Sequence, residues 1–530
     1  MTQNQLRKIA GQLIMIRFPG TVLDQATADF LQANGIRAVC LFRGNMTDSE
    51  QLAKLTADLR AVMGPESLIA IDQEGGAVVR STWVPSPPAA MGLGAANDTD
   101  LAYRTGAAVA RAVKSLGFNW NFAPVLDLNN NPHNPVIAER SFGAEPQRAA
   151  ELAMAWMAGS HAEGVACCVK HFPGHGDTSV DSHRDLPTVD KPVEELNRLE
   201  LAPFRIASAA APAMMTAHIV YPTLDADNPA TMSRRILQDL LRDEWQYKGI
   251  IITDGMDMHA IAGRYGVGNA AVRALTAGAD MVMALGTTET QNETLDAIAA
   301  AIASGELSQA AIDTRLARLA SLAKAYPCKP RSYKEDAADR EIMAEGWRRS
   351  LTAYHAGPDA DSGPGSASRA VAANDADVTG SQPAASASRA PRRPAAGAKV
   401  RLVARQDVVS DGVSEAGVPA GVVADSLRQL YDVELVTFAD ADSFDWNALP
   451  QDGRFTMLAS TSRLRYGDHA RATWRPDLHL ALWNPYQALD IQAPALMTYG
   501  FAKPALDAIN GWLSGELQAT GNAPVPGFKK

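Results

Sequence analysis

Residues 170–183 form a loop-like stretch, Lys-His-Phe-Pro-Gly-His-Gly-Asp-Thr-Ser-Val-Asp-Ser-His, that is rich in ionisable side chains. His171, His175, Asp181 and His183 could all exchange protons or bind a metal ion. A purely structural connection gains little from so many ionisable groups, because each is costly to bury without a partner. We therefore interpret this loop as functional.

Ionisable side chains, two of them from the start of this loop, also occur where apolar runs of the sequence end. Carboxylates there could act as nucleophiles or accept hydrogen bonds from hydroxyl groups, and cations could donate them. The carboxyl ends of parallel strands meet at one edge of a sheet or barrel, so we expect these side chains to lie together. They are Asp72, Asp127, Lys170, His171, His218 and Asp254.

Short apolar runs alternate with longer amphipathic stretches between residues 11 and 285, which predicts parallel strands joined by crossover helices. Eight strands are predicted, at Gln12–Phe18, Ala38–Phe42, Leu68–Asp72, Asn119–Asp127, Val165–His171, Ala213–His218, Gly249–Asp254 and Asp280–Leu285.

Eight repeats predict a (β/α)8 barrel, an α/β fold of the TIM type. The rival fold is an open doubly wound sheet, which normally carries a glycine-rich phosphate loop after its first strand. Residues 17–21 read Arg-Phe-Pro-Gly-Thr at that point, so the barrel is favoured.

The C-terminal part of the chain predicts a smaller α/β domain. Its strand-like runs are Val400–Ala404, Val433–Phe438, Phe455–Ser460 and Leu478–Trp483, and its helical candidates are Gly421–Leu430 and Ala502–Leu513. We predict a catalytic barrel domain over residues 1–334 and an α/β domain over 335–530. Residues 356–399, rich in Ala, Ser, Pro, Gly and Arg, cannot build a core and are predicted to be a disordered insertion within the second domain.

Composition narrows the classes of partner. The 530 residues carry a net charge of -10, which argues against binding to nucleic acid or to anionic lipid. No stretch approaches the roughly 20 apolar residues of a membrane helix, so a soluble, cytoplasmic protein is expected. The four cysteines, Cys40, Cys167, Cys168 and Cys328, lack CxxC spacing and are interpreted as buried structural thiols.

Several motifs occur together in a specific order. KHFPGHG at residues 170–176 is followed by DSH at 181–183, and together they resemble the bacterial β-N-acetylhexosaminidases of glycoside hydrolase family 3. The resemblance spans roughly residues 8 to 330. It extends to IDQEGG at 71–76 with Arg80, NFAPVLD at 121–127, RSF at 140–142, MTAH at 215–218 and ITDGM at 252–256.

The resemblance implies a retaining glycosidase without a cofactor. Asp254 matches the family's nucleophile, and a carboxylate on one face of the anomeric carbon is what such a reaction requires. His183 matches the general acid/base, with Asp181 orienting its imidazole and stabilising the charged form.

Five further positions match residues that contact the terminal sugar in the family. A carboxylate can accept from two hydroxyl groups, whereas arginine and lysine donate to them. These sugar-binding candidates are Asp72, Arg80, Arg140, Lys170 and His171. Either arginine could instead form a buried ion pair that supports the top of the barrel.

Three other functions are weighed against the hexosaminidase. A metal-dependent barrel hydrolase would use the histidines of residues 170–183, but the first predicted strand lacks the HxH motif usual in that class. A non-catalytic sugar-binding protein would lack a nucleophile or an acid/base. A β-glucosidase of family 3 would share the barrel and Asp254 but lack the DSH loop.

The resemblance also implies a substrate. A cytoplasmic enzyme of this kind would remove terminal N-acetylglucosamine from imported peptidoglycan fragments, so N-acetylglucosamine-containing glycans or muropeptides are the expected partners.

Overall fold

A computed structural model describes residues 1–180, 185–327, 333–356, 389–410, 413–414 and 416–528. Eight parallel strands in the N-terminal part pair side by side. They are β1 Ile14–Ile16, β2 Ala38–Cys40, β3 Leu68–Ile71, β4 Trp120–Asn121, β5 Ala166–Phe172, β6 Ala213–Thr216, β7 Ile250–Gly255 and β8 Met281–Ala284. They close into a barrel in the order β1-β8-β7-β6-β5-β4-β3-β2.

Helices surround the barrel and connect its strands. Many begin at a residue whose side chain caps the first turn, such as Asp48, Asp98 and Ser308. The helices of this part are Gln3–Gln12, Gln25–Asn34, Ser49–Met63, Ala90–Ala96, Thr99–Ser115, Pro146–Ala162, Val193–Arg198, Leu201–Ala207, Arg235–Glu244, His259–Tyr265, Val267–Ala277, Thr288–Ser304 and Gln309–Ala325.

Alternate residues of the barrel strands pack into two separate clusters, as the period of two of a strand requires. Cys168 belongs to the cluster that fills the barrel interior, with residues such as Cys40 and Trp120. Its neighbour Cys167 belongs to the layer between strands and helices. The prediction of buried thiols is confirmed for Cys40, Cys167 and Cys168, whereas Cys328 lies outside the described residues.

The first and fourth barrel strands fall furthest short of their predicted bounds. Gln12 is the last residue of the helix Gln3–Gln12, which is capped by Thr2, so the first strand starts only at Ile14. The fourth strand ends at Asn121 rather than at Asp127. Pro124 has no backbone N–H with which to continue the ladder.

The C-terminal part contains a six-stranded sheet. Its strands are β9 Thr352–Tyr354, β10 Lys399–Arg405, β11 Asp432–Phe438, β12 Phe455–Ser460, β13 Leu478–Ala481 and β14 Ala495–Met497, in the order β9-β14-β13-β12-β10-β11. All neighbouring strands are parallel except β9 and β14. Its helices are Ala420–Leu427, Asp468–Thr473, Gln487–Asp490 and Lys503–Ser514.

One more helix, Ala337–Ser350, packs against barrel helices and against the helix Lys503–Ser514 of the sheet. The predicted insertion falls between β9 and β10, which both belong to this sheet. Its margins are paired: Ala356 and Arg389 form an antiparallel bridge, and Lys399 already belongs to β10. Residues 357–388 lie outside the described residues, and the predicted domain boundary stays a prediction. No helix of the described part is long and apolar enough to cross a membrane.

Candidate active site

The five predicted sugar-binding residues lie at the carboxyl ends of the barrel strands. Asp72 directly follows β3, and Lys170 and His171 stand near the end of β5. Arg80 follows the hairpin of Gln73–Gly75 and Val78–Val79, and Arg140 ends the 3-10 turn Ala138–Arg140.

Lys170 lies between two carboxylates whose side chains are 13% and 7% exposed, those of Asp72 and Glu74. Its Nζ lies 2.7 Å from Asp72 Oδ1 and 2.6 Å from Glu74 Oε1. On the other side of Asp72, Arg80 Nη2 lies 3.6 Å from Oδ2. The predicted residues Asp72, Arg80 and Lys170 therefore share one ion-pair network, in which Glu74 takes part.

Glu74 is the member of this network that the sequence analysis did not assign to the site. Both of its oxygens accept from Arg140, through Nε and Nη2 at 2.9 Å each. Burial alone would raise the pKa of Glu74, but the charges and hydrogen bonds of Arg140 and Lys170 hold it far below its usual range. Glu74 therefore stays ionised and links two sugar-binding candidates.

The hairpin that carries Glu74 requires glycine at the two positions that follow it. Gly75 has a φ of 120°, and a side chain there would come within 2.3 Å of the carbonyl oxygen of Pro88. Gly76 has a φ of 59°. Because only glycine adopts such a tight hairpin without a clash, these two residues position Glu74 and Arg80.

His171 is oriented by Asp127. Asp127 Oδ2 lies 2.6 Å from His171 Nδ1, and the same carboxylate accepts from the backbone N–H groups of His171 and His175. Burial opposes the charged form of Asp127, yet the nearby His171 lowers its pKa below the ordinary value. With a proton on Nδ1, the Nε2 of His171 faces Arg140 Nη2 at 3.4 Å.

His175 has a supporting position in this loop. Its Nδ1 lies 2.8 Å from Thr178 Oγ1, and burial lowers its pKa to about 4. His175 is therefore neutral at neutral pH. Asn134 donates to the carbonyl oxygen of His175, and this bond also holds the start of the loop in place.

Asp254 stands at the end of β7 and is half-buried. Its Oδ1 accepts from the backbone N–H of Gly255 at 2.7 Å. The following carbonyl group, that of Gly255, lies 2.9 Å from Nε2 of His218, whose Nδ1 lies 2.8 Å from Thr231 Oγ1. His218 thus fixes the backbone next to the predicted nucleophile.

Asp254 lies at the same end of the barrel as the sugar-binding candidates. The strands β5, β6 and β7 are parallel, and their register pairs Phe172 with Thr216 and Thr216 with Thr253. Asp254 follows Thr253 directly, so it lies at the same carboxyl end as Lys170 and His171.

The predicted acid/base pair, Asp181 and His183, lies outside the described residues. Two of the four potential metal ligands of the loop are therefore not described. Within the described ranges, no three or more His, Cys, Asp or Glu side chains form a group suited to a metal ion.

Comparison with known families gives this geometry a context. The model of the glycosyl hydrolase family 3 N-terminal domain matches residues 5–322, which include the whole barrel. The chain belongs to glycosyl hydrolase family 3. The resemblance recognised in the sequence, the barrel with a C-terminal α/β domain and the class of enzyme, a glycoside hydrolase, are thereby confirmed.

Two curated relatives match part of the chain. The β-hexosaminidase of Pseudomonas aeruginosa is 38% identical over 273 residues, which are 51% of this chain and 80% of that enzyme. β-Hexosaminidase A of Pseudoalteromonas piscicida is 34% identical over 336 residues, which cover 58% of this chain. The chain spans only 56% of the length of the second relative.

A solved family 3 structure resembles both parts of the chain. The β-N-acetylglucosaminidase of Paenibacillus sp. FPU-7 superposes with a TM-score of 0.82 at 31% identity. The match covers 98% of each chain, so the C-terminal sheet is part of the shared architecture.

Proposed function

We propose that this chain is a retaining, exo-acting β-N-acetylhexosaminidase that hydrolyses terminal non-reducing N-acetylglucosamine. The observation that carries the proposal is the position of Asp254 at the same end of the barrel as the Asp72–Lys170–Glu74–Arg140 network. The activities named for the relatives from Pseudomonas aeruginosa and Paenibacillus support the choice of sugar.

The sugar-binding step uses hydrogen bonds from buried, preorganised groups. Asp72 can accept from two hydroxyl groups of the terminal sugar while Arg80, Arg140 and Lys170 donate. The side chains of Lys170 and Arg140 are 3% and 4% exposed, so their contacts with a sugar are shielded from water. A cluster of buried polar groups of this kind suits a terminal sugar and therefore an exo-acting enzyme.

The chemical step then needs two groups. Asp254 attacks the anomeric carbon and forms a covalent glycosyl-enzyme intermediate, while protonated His183 donates a proton to the leaving oxygen. His183, then neutral, takes a proton from the water that hydrolyses the intermediate, and Asp181 holds its tautomer. The product keeps the β configuration.

An activated fluorinated N-acetylglucosaminide tests the nucleophile. We expect the label on Asp254, and Asp254→Ala should abolish turnover because no other group forms the intermediate. Asp257→Ala is the matched control, since this neighbouring carboxylate is half-buried but has no assigned role. Labelling of another residue, or release of a product with inverted configuration, would contradict the proposal.

A series of leaving groups tests His183. His183→Ala should slow substrates with poor leaving groups far more than aryl glycosides with good ones, because good leaving groups depart without a proton. Asp181→Asn should slow turnover less. A small defect that does not depend on leaving-group acidity would show that another residue donates the proton.

We further propose a cytoplasmic role in which the substrate is a peptidoglycan fragment that carries N-acetylglucosamine. The resemblance to family 3 hexosaminidases supports this proposal. Rates on aryl N-acetyl-β-glucosaminide and on aryl β-glucoside are the first comparison to make. A preference for the glucoside would contradict the proposed sugar and favour the β-glucosidase alternative.

A further inference from the structure

The C-terminal sheet domain contacts the turn that carries Arg140. Arg463, in the loop after β12, pairs with Glu139: its Nη2 lies 2.7 Å and its Nε 3.4 Å from the two carboxylate oxygens. The side chains of Arg463 and Glu139 are 5% and 1% exposed. Arg463 also donates to Ser414 Oγ of the same domain. A buried, bidentate ion pair therefore joins the two parts of the chain.

Glu139 immediately precedes Arg140 in a strained turn. Ala138, the first residue of the 3-10 turn, has a φ of 39°, a region that side-chain-bearing residues rarely adopt. Such a conformation persists only where surrounding contacts impose it. Contacts hold this turn from two sides: Arg463 binds Glu139, and Glu74 binds Arg140.

The same domain also reaches the second sugar-binding arginine. The carbonyl oxygen of Val413 accepts from Arg80 Nη2 at 3.0 Å. The side chain of Val413 packs with Val136 and Ile137, which lie just before the strained turn. One loop of the C-terminal domain therefore contacts both Arg80 and the segment that leads to Arg140.

We infer that Arg463 is a positioning residue for the terminal sugar, which acts on Arg140 through Glu139. Without Arg463, the strained turn can relax, and Arg140 then moves away from the position in which it binds the sugar. Arg463 itself belongs to the C-terminal domain. The inference rests on the proposed role of Arg140 in sugar binding. It assigns to the C-terminal domain an effect on substrate affinity that passes through Glu139 to Arg140.

The test is Arg463→Met in the full chain, with an aryl N-acetyl-β-glucosaminide as substrate. Loss of a hydrogen bond from a charged group to the sugar corresponds to an increase in KM of about tenfold, with kcat within about twofold. Arg463→Lys keeps the charge near Glu139, so its KM should lie between those of the wild type and of Arg463→Met.

A matched control separates positioning from stability. Arg401 is also buried and bound by two carboxylates, those of Glu434 and Asp452, but these partners lie within the C-terminal part. Arg401→Met should lower the melting temperature and leave KM unchanged. If Arg463→Met changed KM no more than Arg401→Met does, the inference would be overturned.

A double variant and a second substrate distinguish loss of positioning from misfolding and from a wrong choice of sugar. Arg463→Met leaves the charge of Glu139 buried and unpaired, which can prevent folding. The double variant Glu139→Gln/Arg463→Met removes both charges, and it should show the same increase in KM. If the wild type hydrolyses only an aryl β-glucoside, the proposed sugar is wrong, but the same comparison of KM is made with that glucoside. A wild type that hydrolyses neither substrate overturns the inference together with the proposed function.

Discussion

Glu74 holds two residues of the proposed sugar-binding site in place and need not touch the sugar itself. It binds Arg140 through two hydrogen bonds and Lys170 through an ion pair, and all three side chains are almost completely buried. Because an arginine side chain has several rotatable bonds, such a partner fixes its position before the substrate arrives.

We predict that Glu74→Gln lowers kcat/KM by about 10- to 100-fold, because a neutral amide cannot hold two cations with charge-assisted hydrogen bonds. Steady-state kinetics with an aryl N-acetyl-β-glucosaminide measure the change. Glu163→Gln is the control, since Glu163 pairs with Arg111 of the helix Thr99–Ser115 rather than with Arg140 or Lys170. A kcat/KM like that of the control would show that Arg140 and Lys170 are held by other groups.

At the scale of residues, the sequence predicted which side chains lie at the candidate site better than it predicted their hydrogen-bond and ion-pair partners. The motifs identified Asp72, Arg80, Arg140, Lys170 and His171, and the structure brings them together. Glu74 lies in the IDQEGG motif, but only the hairpin after β3 shows that its side chain meets Arg140. The carboxylates of Asp127 and Glu139 likewise gain their roles from long-range contacts, which spacing along the chain cannot reveal.

At the scale of elements, the strands of the C-terminal sheet enclose a histidine. His479 on β13 is fully buried, and its Nε2 lies 2.7 Å from Ser460 Oγ on β12. Burial lowers the pKa of His479 to about 3. In the unfolded chain the same imidazole takes up a proton near pH 6.5.

This difference predicts that acid destabilises the protein. Between pH 6.5 and the folded pKa of about 3, the unfolded chain binds more protons, so the free energy of unfolding falls as the pH decreases. For His479 alone, the loss from pH 7 to pH 5 amounts to about 2 kcal/mol.

Melting temperatures at pH 7 and pH 5 test the prediction. His479→Gln should melt at more similar temperatures at the two pH values than the wild type does. His469→Gln, a substitution of an exposed histidine in the same domain, should behave like the wild type. Equal acid sensitivity in both variants would show that other groups cause it.

Elements differ in how well the sequence predicts them. Eight barrel strands could be located because each contains a compact apolar run, but their ends shift where a helix or a proline intervenes, as at Gln12 and Pro124. Two strands of the C-terminal sheet, Thr352–Tyr354 and Ala495–Met497, were not predicted. Three residues are too few to show the alternation by which a strand is recognised.

At the scale of the whole molecule, residues 357–388 interrupt the C-terminal sheet domain at one point. The residues on either side already meet: Ala356 N–H donates to the Arg389 carbonyl at 3.2 Å, and Arg389 N–H donates to that of Ala356 at 2.9 Å. A short linker could therefore join them without moving β9 or β10.

We predict that replacing residues 357–388 by a short Gly-Ser linker leaves kcat within about twofold of the wild type, because the segment has too little apolar surface to contribute to a core. Its larger apolar residues are Val371 and Val378. Kinetics and melting curves are the measurements, and a variant with the same residues in shuffled order is the control. A large fall in kcat with an intact fold would mean that the segment contributes to the site.

The positions of the cysteines let the chain report on its own unfolding. Cys40 and Cys168 line the barrel interior, and burial raises the pKa of the third barrel thiol, Cys167, to about 12. The sequence from residue 335 onwards contains no cysteine. In a Cys328→Ser background, thiol reagents can therefore react only when the barrel opens. Their reaction rate would separate barrel opening from any loosening of the C-terminal sheet, without an introduced label.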